Sequence, residues 1–249
     1  MIKLSNLSKT FHPGQPNAVQ ALKEIDLHVQ PEEFLVLVGA NGSGKSTLLN
    51  CIAGNIFPSK GEIRIAGQDV TRMPVYRRSA WVARVFQDPL QGSAANLSVL
   101  ENFRLASLRT SKKRLRIGMN TAFADRVRER VADLGMGLEH HLHQPMGTLS
   151  GGQRQALSLL MAVMDDIRIL LLDEPTAALD PRSAEMVLTV ADRLIRQYPV
   201  TAVMVTHNLK EAHRYGSRIV QLEGGSVLRD VSGQQKADLS LNDLFNWFA

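Results

Sequence analysis

The feature that most constrains this chain is the run Gly39-Ala40-Asn41-Gly42-Ser43-Gly44-Lys45-Ser46-Thr47, set directly behind the apolar stretch Phe34-Leu35-Val36-Leu37-Val38. Its spacing of Gly, four residues, Gly, Lys and Ser/Thr is that of a loop that holds phosphate between a strand and a helix. Glycines let the backbone turn tightly enough for successive N–H groups to face phosphate oxygens, and a helix starting near Lys45 adds its positive dipole end. Gly39, Asn41, Gly42, Ser43, Gly44, Lys45, Ser46 and Thr47 are therefore the expected cradle. Lys45 is expected to reach the β- and γ-phosphates, and the Ser46 hydroxyl to ligate Mg²⁺. The spacing alone does not choose among kinases, GTPases and ATPases.

The rest of the chain supplies the fold around that loop. Short strands are expected at Lys3–Lys9, Glu24–Val29, Phe34–Val38 and Glu62–Ile65, separated by turns such as His12-Pro13-Gly14 and Pro58-Ser59-Lys60-Gly61, which together suggest a mixed sheet. From about Leu90 to Asp165 the apolar spacing becomes helical, with Val99, Phe103 and Leu105 and then Val127, Val131 and Leu134, so an inserted helical subdomain is expected. Beyond it, a strand at Arg168–Leu172, a helix from near Pro181, a strand at Thr201–Val205 and a helix after His207 give the alternation of a parallel sheet covered on both faces. Gly224-Gly225 reads as a hairpin turn, and Leu241–Phe248 as a short C-terminal helix.

Composition narrows the function classes. With 249 residues, 44% of them hydrophobic, one compact unit is expected. The longest apolar runs fall far short of the roughly 18 residues of a membrane helix. Met1-Ile2-Lys3-Leu4-Ser5-Asn6-Leu7 alternates like a strand and lacks the layout of a secretory signal, so a cytosolic protein is expected. The single cysteine, Cys51, has no internal partner and reads as an ordinary buried residue. The net charge of +5 is concentrated between Arg109 and Arg130, where Lys112, Lys113, Arg114, Arg116, Arg126, Arg128 and Arg130 lie. A solvated helical face is the leading account, ahead of attraction to anionic lipid headgroups; no nucleic-acid partner is expected.

Two carboxylates, Asp173 and Glu174, follow Ile169-Leu170-Leu171-Leu172, at the strand end where a parallel sheet binds its ligands. Desolvating both acids without a cation is costly. Asp173 suits Mg²⁺, and Glu174 suits the role of general base for an attacking water. His207, just past Thr201–Val205, should project from the same edge toward the γ-phosphate. Leu149-Ser150-Gly151-Gly152-Gln153 opens a further helix, with Ser150 placed as N-cap and the glycines baring N–H groups. A second anion-facing helix start in a chain that already has a cradle implies a nucleotide shared between two copies.

At this point the sequence resembles the ATP-binding subunits of ABC transporters, and stand-alone prokaryotic importer-type ATPases in particular. The matching residues run in order along nearly the whole chain: the Walker A loop Gly39–Thr47, the Q-loop Gln87, the signature Leu149–Gln153, Walker B ending at Asp173 with Glu174, the D-loop Ala178-Leu179-Asp180 and the switch His207. The resemblance implies a P-loop NTPase of α/β class with a RecA-like, mixed and mainly parallel sheet, an antiparallel β subdomain and an inserted helical subdomain, L-shaped. Residues 1–249 would form one ABC ATPase domain, with about 91–165 the helical insert and about 1–90 and 166–249 the core and β subdomain.

The implied chemistry is ATP hydrolysis with Mg²⁺, in which Gln87 joins Ser46 and Asp173 at the metal and joins Glu174, His207 and Lys45 in catalysis. Ser150, Gly151, Gly152 and Gln153 of one copy, with Asp180 of the D-loop, would complete the site of the other, and Phe11 would stack on adenine in place of the family's usual tyrosine. The implied partners are a second identical or paralogous ATPase, transmembrane permease subunits and an extracytoplasmic solute-binding protein, with the chain peripheral on the cytoplasmic side of the inner membrane. An importer of an amino acid or other small solute is the leading expectation; lipid export or a cluster-assembly role is the alternative.

Overall fold

The computed structural model describes residues 1–109 and 120–248. Lys112, Lys113, Arg114 and Arg116 of the basic stretch lie outside the described residues. The chain divides into two compact units, the first made of Met1–Arg78, Leu171–Glu174 and Pro199–Ala249, the second of Ser79–Leu170 and Pro175–Tyr198.

In the first unit, β1 (Ile2–Phe11), β2 (Val19–Val29), β3 (Phe34–Val38), the helix α1 (Lys45–Ala53), β4 (Lys60–Ile65), β5 (Gln68–Asp69) and the one-turn α2 (Val75–Arg78) follow in order. The strands β2-β1-β4-β5 form an antiparallel sheet. Ile2, Leu4, Leu22, Ile25, Leu27, Val29, Ile63 and Ile65 are buried, the alternation of a sheet with one covered face. Both β1 and β2 are longer than their apolar alternation suggests, because Thr10 and Phe11 pair with Gln20 and Val19 in a ribbon of exposed and half-buried residues. Cross-strand hydrogen bonding, not side-chain pattern, carries that extension.

The second unit opens with β6 (Val82–Val85), α3 (Val99–Ala106), α4 (Thr121–Ala132) and α5 (Gly151–Val163). The strand β7 (Ile169–Asp173) then passes from the second unit into the first, and α6 (Pro181–Gln197) returns to the second. The chain ends in the first unit with β8 (Thr201–Val205), α7 (Leu209–Arg214), β9 (Arg218–Glu223), β10 (Ser226–Ser232), α8 (Gly233–Ala237) and α9 (Leu241–Asn246).

The second sheet is centred on β3, which pairs in parallel with β8 on one side and β9 on the other. Every residue of β3 and β8 is buried, which is why both read as unbroken apolar runs. Burial of each large aliphatic side chain contributes about 1.5–3 kcal/mol, and this fixes β3 as the rigid base of the loop that follows it. The edge strand β10 runs antiparallel to β9 through Gly224 and Gly225, both at positive φ, a turn that suits the twist of a two-residue hairpin.

In the second unit, Ser98 and Glu101 close a reciprocal cap on α3, and Asn120 caps α4 by accepting from the Phe123 amide. The stripe Phe123, Val127 and Val131 buries one face of α4, while α5 is buried almost all round from Gln155 to Val163. One expected core position is corrected: Leu105 is 51% exposed, because six residues past Val99 a helix has rotated away from the face shared by Val99 and Phe103. No described helix is long and apolar enough to cross a membrane.

Candidate functional site

The loop after β3 is built by conformations that a side chain would oppose. Gly39, Gly42 and Gly44 have φ of 157°, 80° and 103°. A Cβ on Gly39 would lie 2.4 Å from the Leu222 carbonyl oxygen, and one on Gly44 2.5 Å from that of Ala21. Gly44 is also the N-cap of α1 and offers no side-chain cap, so the first-turn N–H groups of α1 are left for an outside acceptor. Asn41, Gly42, Ser43, Gly44, Lys45 and Ser46 line a hollow of about 140 Å³ together with Glu174.

Lys45 is buried, and its ammonium donates to the carbonyl oxygens of Gly39 at 2.7 Å and Ala40 at 3.0 Å. Desolvation lowers its pKa, while the nearby charges of Glu174 and Asp173 act to raise it. One cation thus faces two carboxylates across the cradle. Thr47 is half-buried on α1 and Ser46 is exposed at its start.

Glu174 follows β7 with φ of 45°, a left-handed conformation that costs a residue with a side chain about 1–3 kcal/mol. Its amide donates to the Val205 carbonyl at 3.0 Å, which holds the turn against the end of β8. Its carboxylate lies 3.2 Å from Nδ1 of His207. A carboxylate only accepts, so in this contact Nδ1 carries the hydrogen and Nε2 is left as the other polar atom of the ring. His207 is placed by Thr206, whose amide donates to the Leu37 carbonyl and whose hydroxyl donates to Glu211 at 2.6 Å while accepting from the Asn208 amide. All five residues belong to one unit: Lys45 and Ser46 open α1, Asp173 and Glu174 lie at the end of β7, and His207 lies just past β8.

Phe11 is also in the first unit, at the last position of β1, with the Lys9 ammonium 5.1 Å from its ring centre. It is not part of the lining of the hollow.

The other expected residues are in the second unit. Gln87 is exposed just beyond β6. Ser150 caps α5 and accepts from the Gln153 amide, while the Gln153 side chain accepts from the Ser150 amide. Gly152 packs on α6, where a Cβ would meet that of Ser183 at 2.9 Å. Asp180 caps α6 by accepting from the amides of Arg182 and Ser183, and its hydrogen bonds at Ser183 hold its pKa low.

Sequence reasoning passed over two residues that shape this region. Gln155 is fully buried and its amide nitrogen donates at 2.9 Å to the carbonyls of both Phe86 and Pro175, while Arg154 donates to those of Gly147 and Leu149. A glutamine on the buried face of an apolar helix is the signal that could have found the first; the second binds carbonyls only five and seven residues before it, and a carbonyl leaves no mark in the sequence.

Comparison with known proteins adds an independent observation. A protein-family model described as ABC transporter matches residues 22–177. A tyrosine transport ATP-binding protein from Clostridioides difficile is 38% identical over all of this chain and 98% of its own length. A phosphonates import ATP-binding protein, PhnC, from Stutzerimonas stutzeri is 36% identical over 98% of this chain and 89% of its own length. Among solved structures, a dimeric post-hydrolysis state of an ATP-binding cassette with ADP and Pi superposes with a TM-score of 0.79 at 30% identity, covering 93% of this chain and 98% of that one.

Proposed function

This chain belongs to the ABC transporter family, and from that premise we propose that it is the ATP-binding and ATP-hydrolysing subunit that drives a separate permease importing an amino acid or other small solute. The observation that carries the reading is the pairing of a glycine-built phosphate cradle with Glu174, held by a strained backbone and hydrogen-bonded to His207, in one unit. The relative named as a phosphonates import ATP-binding protein supports the direction of transport.

In the proposed reaction, the cradle from Gly39 to Thr47 holds the phosphates of ATP on backbone amides and on the Lys45 ammonium. Glu174 accepts a proton from water as that water's oxygen bonds to the γ-phosphorus and the bond to the β-phosphate oxygen breaks, giving ADP and phosphate. His207 orients the Glu174 carboxylate through Nδ1. For Nε2 to donate to the γ-phosphate as well, the ring must carry a second proton.

Ser46 and Asp173 offer hard oxygen ligands beside the cradle, the donor type of Mg²⁺, which keeps waters and substrate phosphates around one or two protein ligands; Gln87 is the further proposed ligand. Mg²⁺ supplies neutralisation of charge on the phosphate oxygens. Phe11 is proposed to stack on adenine. Ser150, Gly151, Gly152 and Gln153 are proposed to serve the nucleotide of a second copy, with Asp180 supporting that arrangement through the start of α6.

On this reading residues 91–165 form the helical insert of a single ATPase domain, and the chain works as a dimer on the cytoplasmic face of the inner membrane. A solute-binding protein on the far side would deliver the solute. The test is Glu174→Gln: ATP binding is retained and turnover falls by about two orders of magnitude or more. The variant, recovered from gently solubilised membranes with ATP, should bring a polytopic permease with it. Unchanged turnover removes Glu174 from its role, and recovery of soluble partners alone removes the transport assignment.

A further inference from the structure

Away from the nucleotide loop, the second unit contains a cavity of about 220 Å³ whose polar lining comes from Arg104, Ser107, Arg126, Arg130 and Asp165. Three guanidiniums and one carboxylate leave a surplus of positive charge. The buried ring of Phe123 forms part of the wall, with the Arg104 guanidinium 5.6 Å and that of Arg126 5.8 Å from its centre. Arg130 donates to the Tyr198 hydroxyl and lies 5.6 Å from that ring's centre. Arg104 reaches the Ser107 hydroxyl at 3.3 Å.

Rings and hydroxyls thus orient these arginines without neutralising them. Among the described residues the ion pair on α4 is Arg128 with Asp125, and no ion pair joins Arg104, Arg126 or Arg130 to a carboxylate. The undescribed stretch 110–119 contains no acidic residue in its sequence. Like charges brought this close raise the energy of the empty cavity, and an anion entering it relieves that energy.

Asp165 adds the chemical detail. Its Oδ2 is buried and has no hydrogen-bond partner among the described residues. Its charge is felt by Arg109, whose Nη2 instead donates to the Ala162 carbonyl at 2.9 Å. A buried carboxylate oxygen without a donor is costly, and a ligand with an O–H satisfies it. Guanidinium forks match the spacing of phosphate oxygens.

The geometry points to a second anion site, in which Arg104, Arg126 and Arg130 hold a phosphate group and Asp165 accepts from that group's own proton or from a hydroxyl next to it. The volume accommodates the phosphate and a few attached atoms, as found in a phosphorylated small molecule or in the headgroup of an anionic lipid. The site does not depend on the chemistry at Glu174.

The experiment uses the full chain with the nucleotide loop filled by a non-hydrolysable ATP analogue. Calorimetric titration with glycerol phosphate is expected to show one further ligand per chain, weakened about tenfold or more by Arg126→Gln and again by Arg104→Gln. Sulfate, which has no proton to give Asp165 at neutral pH, is expected to bind more weakly than phosphate, and Asp165→Asn to erase that preference. Both arginine variants should melt with the wild type and bind the ATP analogue unchanged.

Flotation with phosphatidylcholine vesicles, with and without phosphatidic acid, separates the sources. Binding to the acidic vesicles that is lost in Arg126→Gln and displaced by glycerol phosphate assigns the lipid headgroup. Glycerol phosphate binding without Arg126-dependent flotation assigns the free phosphorylated molecule. Absence of the additional ligand, or an affinity unmoved by both Arg104→Gln and Arg126→Gln, overturns the site.

Discussion

Replacing Arg78 with Met should destabilise the first unit by about 2–4 kcal/mol, although this residue is absent from the nucleotide site. Arg78 is fully buried and has no carboxylate partner among its hydrogen bonds. Instead it donates to the carbonyls of Met73 at 2.9 Å, Cys51 at 2.6 Å, Ile52 at 2.9 Å, Thr71 at 3.2 Å and Val70. Cys51 and Ile52 lie in the last turn of α1, where carbonyls lack helical donors and the helix dipole is negative. Their oxygens and that of Val70 form the most buried part of the network.

Loss of the guanidinium orphans the Ile52 carbonyl and takes the charged donor from those of Cys51 and Val70, which keep the amides of Gly54 and Met73; the orphaned acceptor costs about 1–3 kcal/mol and each lost charged bond about 1.5–3 kcal/mol before relaxation. Against that, the variant no longer buries a charge, a cost visible in the desolvation that lowers the Arg78 pKa to about 10. The remainder is the 2–4 kcal/mol stated. Urea unfolding followed by circular dichroism should move its midpoint down by about 1 M. Arg78→Lys keeps the charge but concentrates its donors at one point, so it should recover less than half of the loss. A shift below about 0.5 kcal/mol for Arg78→Met would refute the account, because that is the range of a surface substitution.

Three further outcomes follow from the same geometry. Glu174→Gly should raise stability by about 1 kcal/mol by releasing the strained φ of 45°, while abolishing hydrolysis; a melt and a phosphate-release assay check the opposite signs. Gly44→Ala should lose nucleotide binding in a fluorescent-ATP titration, because its Cβ would meet the Ala21 carbonyl at 2.5 Å at a φ of 103°. Burial pushes the Cys51 thiol up to about 11 from an ordinary 9.0. The unfolded thiol therefore ionises first, so its contribution to stability falls as pH rises through that window, and Cys51→Ala should flatten that part of a stability–pH curve.

What the sequence disclosed was whatever repeats at short range. The apolar runs Phe34–Val38 and Thr201–Val205 coincide with β3 and β8 because strands buried on both faces need no polar alternation. Ser150 was legible as a cap because its acceptor serves an amide three residues away. Leu105 departs from expectation because apolar character alone does not set the face of a helix on which a residue lies. Arg78 was illegible for another reason: it binds the carbonyls of Cys51 and Ile52 from a distant segment, and a carbonyl has no residue type to give it away. The same holds for the Arg104 and Arg126 cavity, where Phe123 joins two helices that the sequence separates.

The two glycine-rich helix starts are unequal, and the inequality fits the proposed division of labour. At α1 the cap is Gly44 with no side-chain acceptor, so the first-turn amides have no internal competitor for phosphate. At α5 the reciprocal bonds of Ser150 and Gln153 already satisfy two of the amides, one on each side of the helix start. An isolated α5 therefore offers an anion less than α1 does, even though both have the helix dipole. Binding should then be ordered: ATP first settles on the Gly39–Thr47 cradle of one copy, and only a phosphate already held there gains from the weaker Ser150 end of another. On the proposed reading, a self-satisfied Ser150 end would cost the lone subunit nothing when no partner is present, and it would make association of the two copies conditional on nucleotide.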